Sequence, residues 1–292
     1  MKKVLLILTV ILPLGAKVCN LPTPIKELAT PVKNISQYPD LLRNQKSIKG
    51  LCIYTVKIKE NGLDWKMLLL FNPKKPKGAF WFLPHDNENS AFDSAIYATK
   101  RYGGGFLSIV TGGQRYFAYQ DPNRNFGTTK SVSNRCKRQK YPSPKYVNTI
   151  FKIIDTFKDK KYPYLALHNN ANGHYKNGGS GTISILYSTP HSQAYPAYRD
   201  IQHTSNGGLK DEDTMVYIAS TTKEPPKNKI SKLNKAGINV KYEWIDKNHN
   251  DCSMSNYIVL SKGSNQYYNI ETQIGDSKTQ KVLIDKLISI IK

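Results

Sequence analysis

Ala79-Phe80-Trp81-Phe82-Leu83 is an unbroken apolar run, and Pro84 and His85-Asp86-Asn87-Glu88 follow it directly. So short a run reads as a buried strand. Ser90 can cap a helix that reaches about Tyr102, with Phe92, Ile96 and Tyr97 on one face. Gly103-Gly104-Gly105 stops that helix. Phe106-Leu107-Ser108-Ile109-Val110 is then another apolar strand, ended by Gly112-Gly113. Strand, helix and strand in close succession argue for a sheet that is parallel at least in part.

The same alternation extends outward. Strand patterns occupy 51–58 and 67–71 before this unit. After it come an amphipathic helix at 146–157, with Val147, Ile150, Phe151, Ile154 and Phe157 at helical spacing, and a strand at 164–167. Further strands are expected at 182–187, 214–219, 240–244, 257–260 and 267–270. Helices are expected at 226–235, stopped by Gly237, and at 278–291. The expected fold is α/β, a mixed and largely parallel twisted sheet flanked by helices. Ligands of open α/β sheets bind beyond the carboxyl ends of strands. His85 and His168 each sit just past a predicted strand.

The chain has 292 residues and a formal charge of +22. Met1-Lys2-Lys3, the apolar run Val4 to Leu12, and Pro13, Gly15 and Ala16 form a signal-peptide pattern at 1–16. A polar lead at 17–50 and a catalytic domain at 51–292 complete the expected division. No later segment is apolar for long enough to span a membrane. The expected location is therefore exported, periplasmic or secreted. Cys19, Cys52, Cys136 and Cys252 suit an oxidising compartment, and three pairings are open. Lysine is scattered along the chain, and the runs at 135–140 and 158–161 read as solvated faces. The net charge would draw the protein to anionic envelope polymers. No nucleic-acid-binding motif accompanies it, so nucleic acid is not an expected partner.

Chemistry concentrates in a few residues. His85 and Glu88, three apart in a turn after a strand, can approach one ion. His168 supplies a third ligand, which leaves Zn²⁺ an open position for water. In Asp121-Pro122-Asn123-Arg124-Asn125-Phe126, Arg124 can fork onto a carboxylate. Arg115 can offer positive charge to an oxyanion. Glu271 is a candidate general base, with Glu243 as its rival. His174, His191, His203 and His249 lack such framing and read as surface or loop histidines. The glycine-rich stretch 170–181 reads as a flexible connection.

In this order the motifs resemble the zinc carboxypeptidase family. They also resemble its succinylglutamate desuccinylase and aspartoacylase branch, which shares H-x-x-E and an arginine shortly before D-x-N-R. The resemblance runs from about His85 to Glu271 and leaves the lead and the insert 174–213 unexplained. It implies that His85, Glu88 and His168 hold zinc. It also implies that Asn123 and Arg124 bind the substrate's terminal carboxylate, that Glu271 is the base, and that Arg115 stabilises the transition state. The family's mobile tyrosine has candidates in Tyr242, Tyr257, Tyr195 and Tyr198. The expected activity is hydrolysis of a peptide, from compartment and charge a peptidoglycan stem peptide. An N-acyl amino acid deacylase and a non-catalytic peptide- or glycan-binding protein are the alternatives.

Overall fold

The computed structural model describes residues 19–136 and 138–291. The signal peptide expected at 1–16 lies outside them. A short edge strand, Ala29–Pro31 (β1), and a one-turn helix, Pro39–Arg43 (α1), come from the polar lead. Cys19 is disulfide-bonded to Cys52, which ties the start of the described chain to the sheet.

Buried and half-exposed residues alternate along Cys52–Glu60 (β2), as in a strand covered on one face. A two-residue turn folds it onto Leu63–Phe71 (β3), with Glu60 opposite Leu63. The turn residues Asn61 (φ 53°) and Gly62 (φ 76°) take the positive φ that such a hairpin needs. Phe80–Leu83 (β4), Asn89–Tyr102 (α2) and Gly105–Val110 (β5) form the strand-helix-strand unit, with β4 and β5 parallel. Gly104 has φ 70°, and a Cβ there would lie 2.1 Å from the Ala79 carbonyl oxygen. The chain re-enters the sheet through this close approach.

The remaining elements are Lys130–Ser133 (α3), Pro144–Phe157 (α4), Tyr164–Asn170 (β6), Ser192–Tyr195 (β7), Met215–Ser220 (β8), Lys227–Lys235 (α5), Val240–Trp244 (β9), Met254–Leu260 (α6), Tyr267–Gln273 (β10) and Ser277–Ile291 (α7). Among the described residues the strands form one sheet in the order β1-β2-β3-β5-β4-β6-β10-β8-β9-β7. Its centre, β5-β4-β6-β10, is parallel, as is the β8-β9 pair; the other neighbours are antiparallel. The sheet is therefore mixed, and its parallel part carries the candidate site.

Two apolar layers cover it. α2, α5 and α7 share one with Leu68, Leu70, Trp81, Leu83, Leu165 and Leu167. α4 and α6 share the other with Met67, Leu69, Phe71, Phe80, Phe82 and Leu107. Consecutive strand residues go to opposite layers, so central strands buried on both faces read as continuous apolar runs.

Two expected strands are corrected. Residues 182–187 are not in a strand. Their polar backbone groups find scattered partners instead: Ile185 N–H donates to the Glu212 carbonyl, and the Lys241 ammonium donates to the Ser184 and Tyr187 carbonyls at 2.6 Å. Residues 257–260 belong to helix α6. Its Ser253 hydroxyl caps the Asn256 N–H, and it buries Met254, Ile258 and Val259 at helical spacing. β6 also runs on to Asn170, so His168 lies within the strand rather than beyond it.

Candidate functional site

His85 lies two residues past β4, and Glu88 closes the following turn as the residue preceding α2. His168 is on β6, the parallel neighbour of β4. This adjacency brings the three together. His85 Nδ1 is 2.7 Å from Glu88 Oε1, and His168 Nδ1 is 3.3 Å from Glu88 Oε2. One ligand atom from each lies within 4.8 Å of the others, and no residue of the three is more than 5% exposed. Two imidazoles and one carboxylate are a donor set that fits a zinc-like ion.

The surroundings fix this geometry. Asn169 N–H donates to Glu88 Oε2 at 3.0 Å, and Asn169 Oδ1 accepts from Ser90 Oγ and Ala91 N–H. The first turn of α2 is thereby tied to β6. Behind His85, Asp121 Oδ1 sits 2.9 Å from Nε2. A carboxylate on the far nitrogen holds an imidazole so that the near nitrogen faces an ion. Asp121 Oδ1 also accepts the Asn123 N–H at 2.8 Å.

Burial opposes charge on Glu88, yet His85 and His168 hold its carboxyl well below the usual range. Burial likewise opposes ionisation of Asp121, and His85, Arg115 and Arg124 pull it down. Burial works against a charged His85, but Glu88 and Asp121 outweigh it and raise its pKa. The two carboxylates are thus held ionised beside the imidazoles, as metal ligation requires.

A cavity of about 770 Å³ opens beside Arg115 and Glu271; none of the three triad residues lines it. A smaller space of about 370 Å³ is lined by Glu88 and His168, and Arg115 and Glu271 line both. Glu271 is paired in register with His168 across the β6–β10 ladder. Tyr267, Asn269 and Glu271 alternate along β10, so all three present to the same face and line the large cavity. Asn269 Nδ2 donates to Glu271 Oε1 at 2.9 Å, and Asn269 Oδ1 is buried without a partner. Burial raises the Glu271 carboxyl pKa, and the neighbouring His168 partly offsets it.

Arg115 lies against the triad, 3.2 Å from Glu88 Oε1 and 3.7 Å from Asp121 Oδ2. Arg124 lines the large cavity. Its Nε is 3.0 Å from Asp251 Oδ2, and one terminal nitrogen donates to the Asn123 carbonyl at 3.1 Å. Asn123 is not in the cavity wall; its Oδ1 accepts the Met254 N–H at the start of α6. Glu243 also lines the cavity but hydrogen-bonds Ser255 and Asn256. Burial, with Asp251 adding, pushes its carboxyl up to about 7.

The four candidate tyrosines point elsewhere. Tyr242 bonds the Thr222 carbonyl, Tyr195 bonds Gln193, Tyr198 bonds the Gly237 carbonyl, and Tyr257 stacks among Phe126 and Phe151. Tyr217 and Tyr267 line the cavity instead, and burial raises both hydroxyls well above the ordinary value. Their signal in the sequence was their place on β8 and β10, one residue off the buried apolar positions. Asp121 stood in plain view at the head of the Asn-Arg motif, but its role depends on a contact with His85 that spacing cannot show. Asp251, Arg135 and Arg138 join the wall because Cys136 is disulfide-bonded to Cys252.

No family model and no curated protein matches this chain. Similar solved structures include a candidate metallopeptidase of Shewanella amazonensis SB2B, 13% identical over 88% of this chain and 92% of that one, TM-score 0.46. Another is a candidate metallopeptidase of Shewanella denitrificans OS217, 11% identical over 93% and 97%, TM-score 0.44. A third is a candidate carboxypeptidase A of Shewanella denitrificans OS-217, 9% identical over 88% and 67%, TM-score 0.39. At such identity and overlap, none of the three decides what this chain does.

Proposed function

We propose that this chain is an exported, zinc-dependent hydrolase of the carboxypeptidase kind, cutting an amide bond next to a free carboxylate. One observation carries the reading. Three ligand atoms from His85, Glu88 and His168 meet beside Glu271, and Arg115 and Glu271 stand between this space and the cavity that Arg124 lines. A zinc ion held by the triad would supply a Lewis acid for the scissile carbonyl.

The chain's own residues do the rest. Arg124 is held by Asp251 and the Asn123 carbonyl, and its remaining terminal nitrogen is left for a substrate carboxylate. Glu271 takes a proton from the attacking water and returns it to the leaving amine. Its raised pKa suits both transfers. Arg115 brings positive charge to the developing oxyanion. Tyr217 and Tyr267 stay protonated and can donate, and Asn269 Oδ1 can accept a substrate N–H.

Arg115, Arg124, Arg135 and Arg138 line the cavity together with Glu243, Asp251 and Glu271, and Arg135 and Arg138 add cations for a further substrate carboxylate. A peptidoglycan stem peptide meets that need and fits an exported protein. Two disulfides support export, and among the described residues no helix is long and apolar enough to cross a membrane. The cavity volume favours a peptide over a small N-acyl amino acid. A full ligand set with a base beside it favours turnover over mere binding.

Glu271→Gln tests the mechanism. Peptide release should fall by about 10²- to 10⁴-fold in kcat with zinc content unchanged. Cleavage as fast as wild type would overturn it.

A further inference from the structure

A second group of possible ligands stands apart from the triad. His191 precedes β7, and the β7–β9 register sets Ser192 opposite Glu243, which brings His191 alongside Trp244. The two rings stack at 4.6 Å with 10° between their planes, and Trp244 N–H donates to the His191 carbonyl at 2.9 Å. Just past β9, Asp246 turns its carboxylate to His249, with both oxygens 2.9 Å from Nδ1. Asp246 Oδ1 also accepts the backbone N–H groups of Asn248 and His249, so the carboxylate is fixed. The rings of His191 and His249 are 3.7 Å apart. One ligand atom each from His191, Asp246 and His249 lies within 4.8 Å of the others. His191 Nδ1 is buried and has no hydrogen-bond partner.

We propose that His191, Asp246 and His249 form a second divalent transition-metal site that clamps the rim of the large cavity. Two imidazoles and a single carboxylate suit Zn²⁺ or a similar nitrogen-preferring ion, and are a poor set for Ca²⁺ or Mg²⁺. Three protein ligands leave a position for water on the half-exposed side of His249. The ion joins an edge strand to the loop after β9. That loop carries His249 and Asp251 in the cavity wall, and Asp251 holds Arg124. Occupancy thus fixes the arm that orients the arginine, without touching the triad.

The test counts ions. Full-length protein is stripped with a chelator, dialysed and reloaded with Zn²⁺, and bound zinc per chain is measured by elemental analysis and calorimetry. Wild type should hold two ions. His191→Ala/His249→Ala should hold one, and His85→Ala/His168→Ala should also hold one. His249 is half exposed, so His249→Gln should fold normally and weaken one calorimetric site by about tenfold or more. The proposal is overturned if His191→Ala/His249→Ala, folded by circular dichroism, keeps the wild-type zinc count, or if His249→Gln leaves both affinities unchanged. Loss of the other ion alone, with this one retained, would count against the proposed hydrolase and leave this site standing.

Discussion

Asp121→Asn isolates the part of the candidate metal centre that no ligand motif contains. Its carboxylate lies 2.9 Å from His85 Nε2, with both side chains 1% exposed, so water cannot replace the contact. Hydrogen bonds to charged groups contribute about 1.5–3 kcal/mol. Asparagine keeps the shape and can still turn an oxygen to His85 and to the Asn123 N–H. Its nitrogen then replaces Oδ2 beside the Arg115 guanidinium, now 3.7 Å away, which sets donor against donor and removes the charge. A loss of about 2 kcal/mol in holding His85 corresponds to roughly 30-fold weaker zinc binding, inside the range known for partners behind metal ligands. The assay is competition for Zn²⁺ against a chromophoric chelator, with His85→Ala as the reference for a lost ligand. If Asp121→Asn binds zinc within about twofold of wild type while His85→Ala does not bind, Asp121 does not orient the ligand and the reasoning fails.

Three further outcomes are expected. Arg124→Lys keeps the charge but loses the terminal nitrogen that Asp251 and the Asn123 carbonyl aim at the substrate, so KM for peptides with a free terminal carboxylate should rise by about tenfold or more, with amidated analogues unaffected; an equal change for both would remove Arg124 from carboxylate recognition. Glu243, raised from 4.5 to about 7, stays protonated in the folded chain after the unfolded chain has ionised. Its contribution is complete below about pH 4.5 and is lost as pH rises through about 7, so the melting temperature of Glu243→Gln relative to wild type should climb between about pH 5 and 8; a pH-independent difference would contradict this. The Cys136–Cys252 bond closes a span of 116 residues, and its removal as a double serine variant should cost about 4–5 kcal/mol in denaturant unfolding on the chain-entropy view; a cost below about 1 kcal/mol would show that the unfolded chain is not what the bond restrains.

The parts of the fold that could be read in advance are those where one physical requirement acts alone. β4 and β5 are buried on both faces, so their apolar runs have one reading. The segment 257–260 was ambiguous, because Tyr-Ile-Val-Leu suits a strand by composition. The deciding facts were the Ser253 cap and the burial of Met254, Ile258 and Val259, which depend on where the chain enters the fold. The segment 182–187 alternates like a strand, but Lys241 and Glu212 take its carbonyls and N–H groups. At the site, His85 and Glu88 are close in sequence and their meeting is local. The approach of His168 needs only that β4 and β6 be neighbours. Most of the floor of the cavity was not legible: Tyr217 and Asn269 come from β8 and β10, whose order in the sheet no spacing reveals, and Glu243 stood out only as a rival base. His191 and His249 went unread for the same reason, since only the β7–β9 register brings them together.

β10 has one more consequence, for how the protein is made. It is the last strand among the described residues, beginning at Tyr267, yet it lies between β6 and β8 near the middle of the sheet. Everything from β1 to β6 can assemble as it leaves the ribosome, and β8 with β9 can form a separate patch. Within the sheet, neither half pairs with the other until β10 arrives between them. Glu271 is carried on that joining strand, so the triad and this candidate base become neighbours only once β10 has been made. A nascent chain arrested before Tyr267 would own all three candidate metal ligands and two unjoined pieces of the sheet, with a bare parallel edge along β6 where β10 should pair. On the proposed mechanism such a chain holds the ligands without the base.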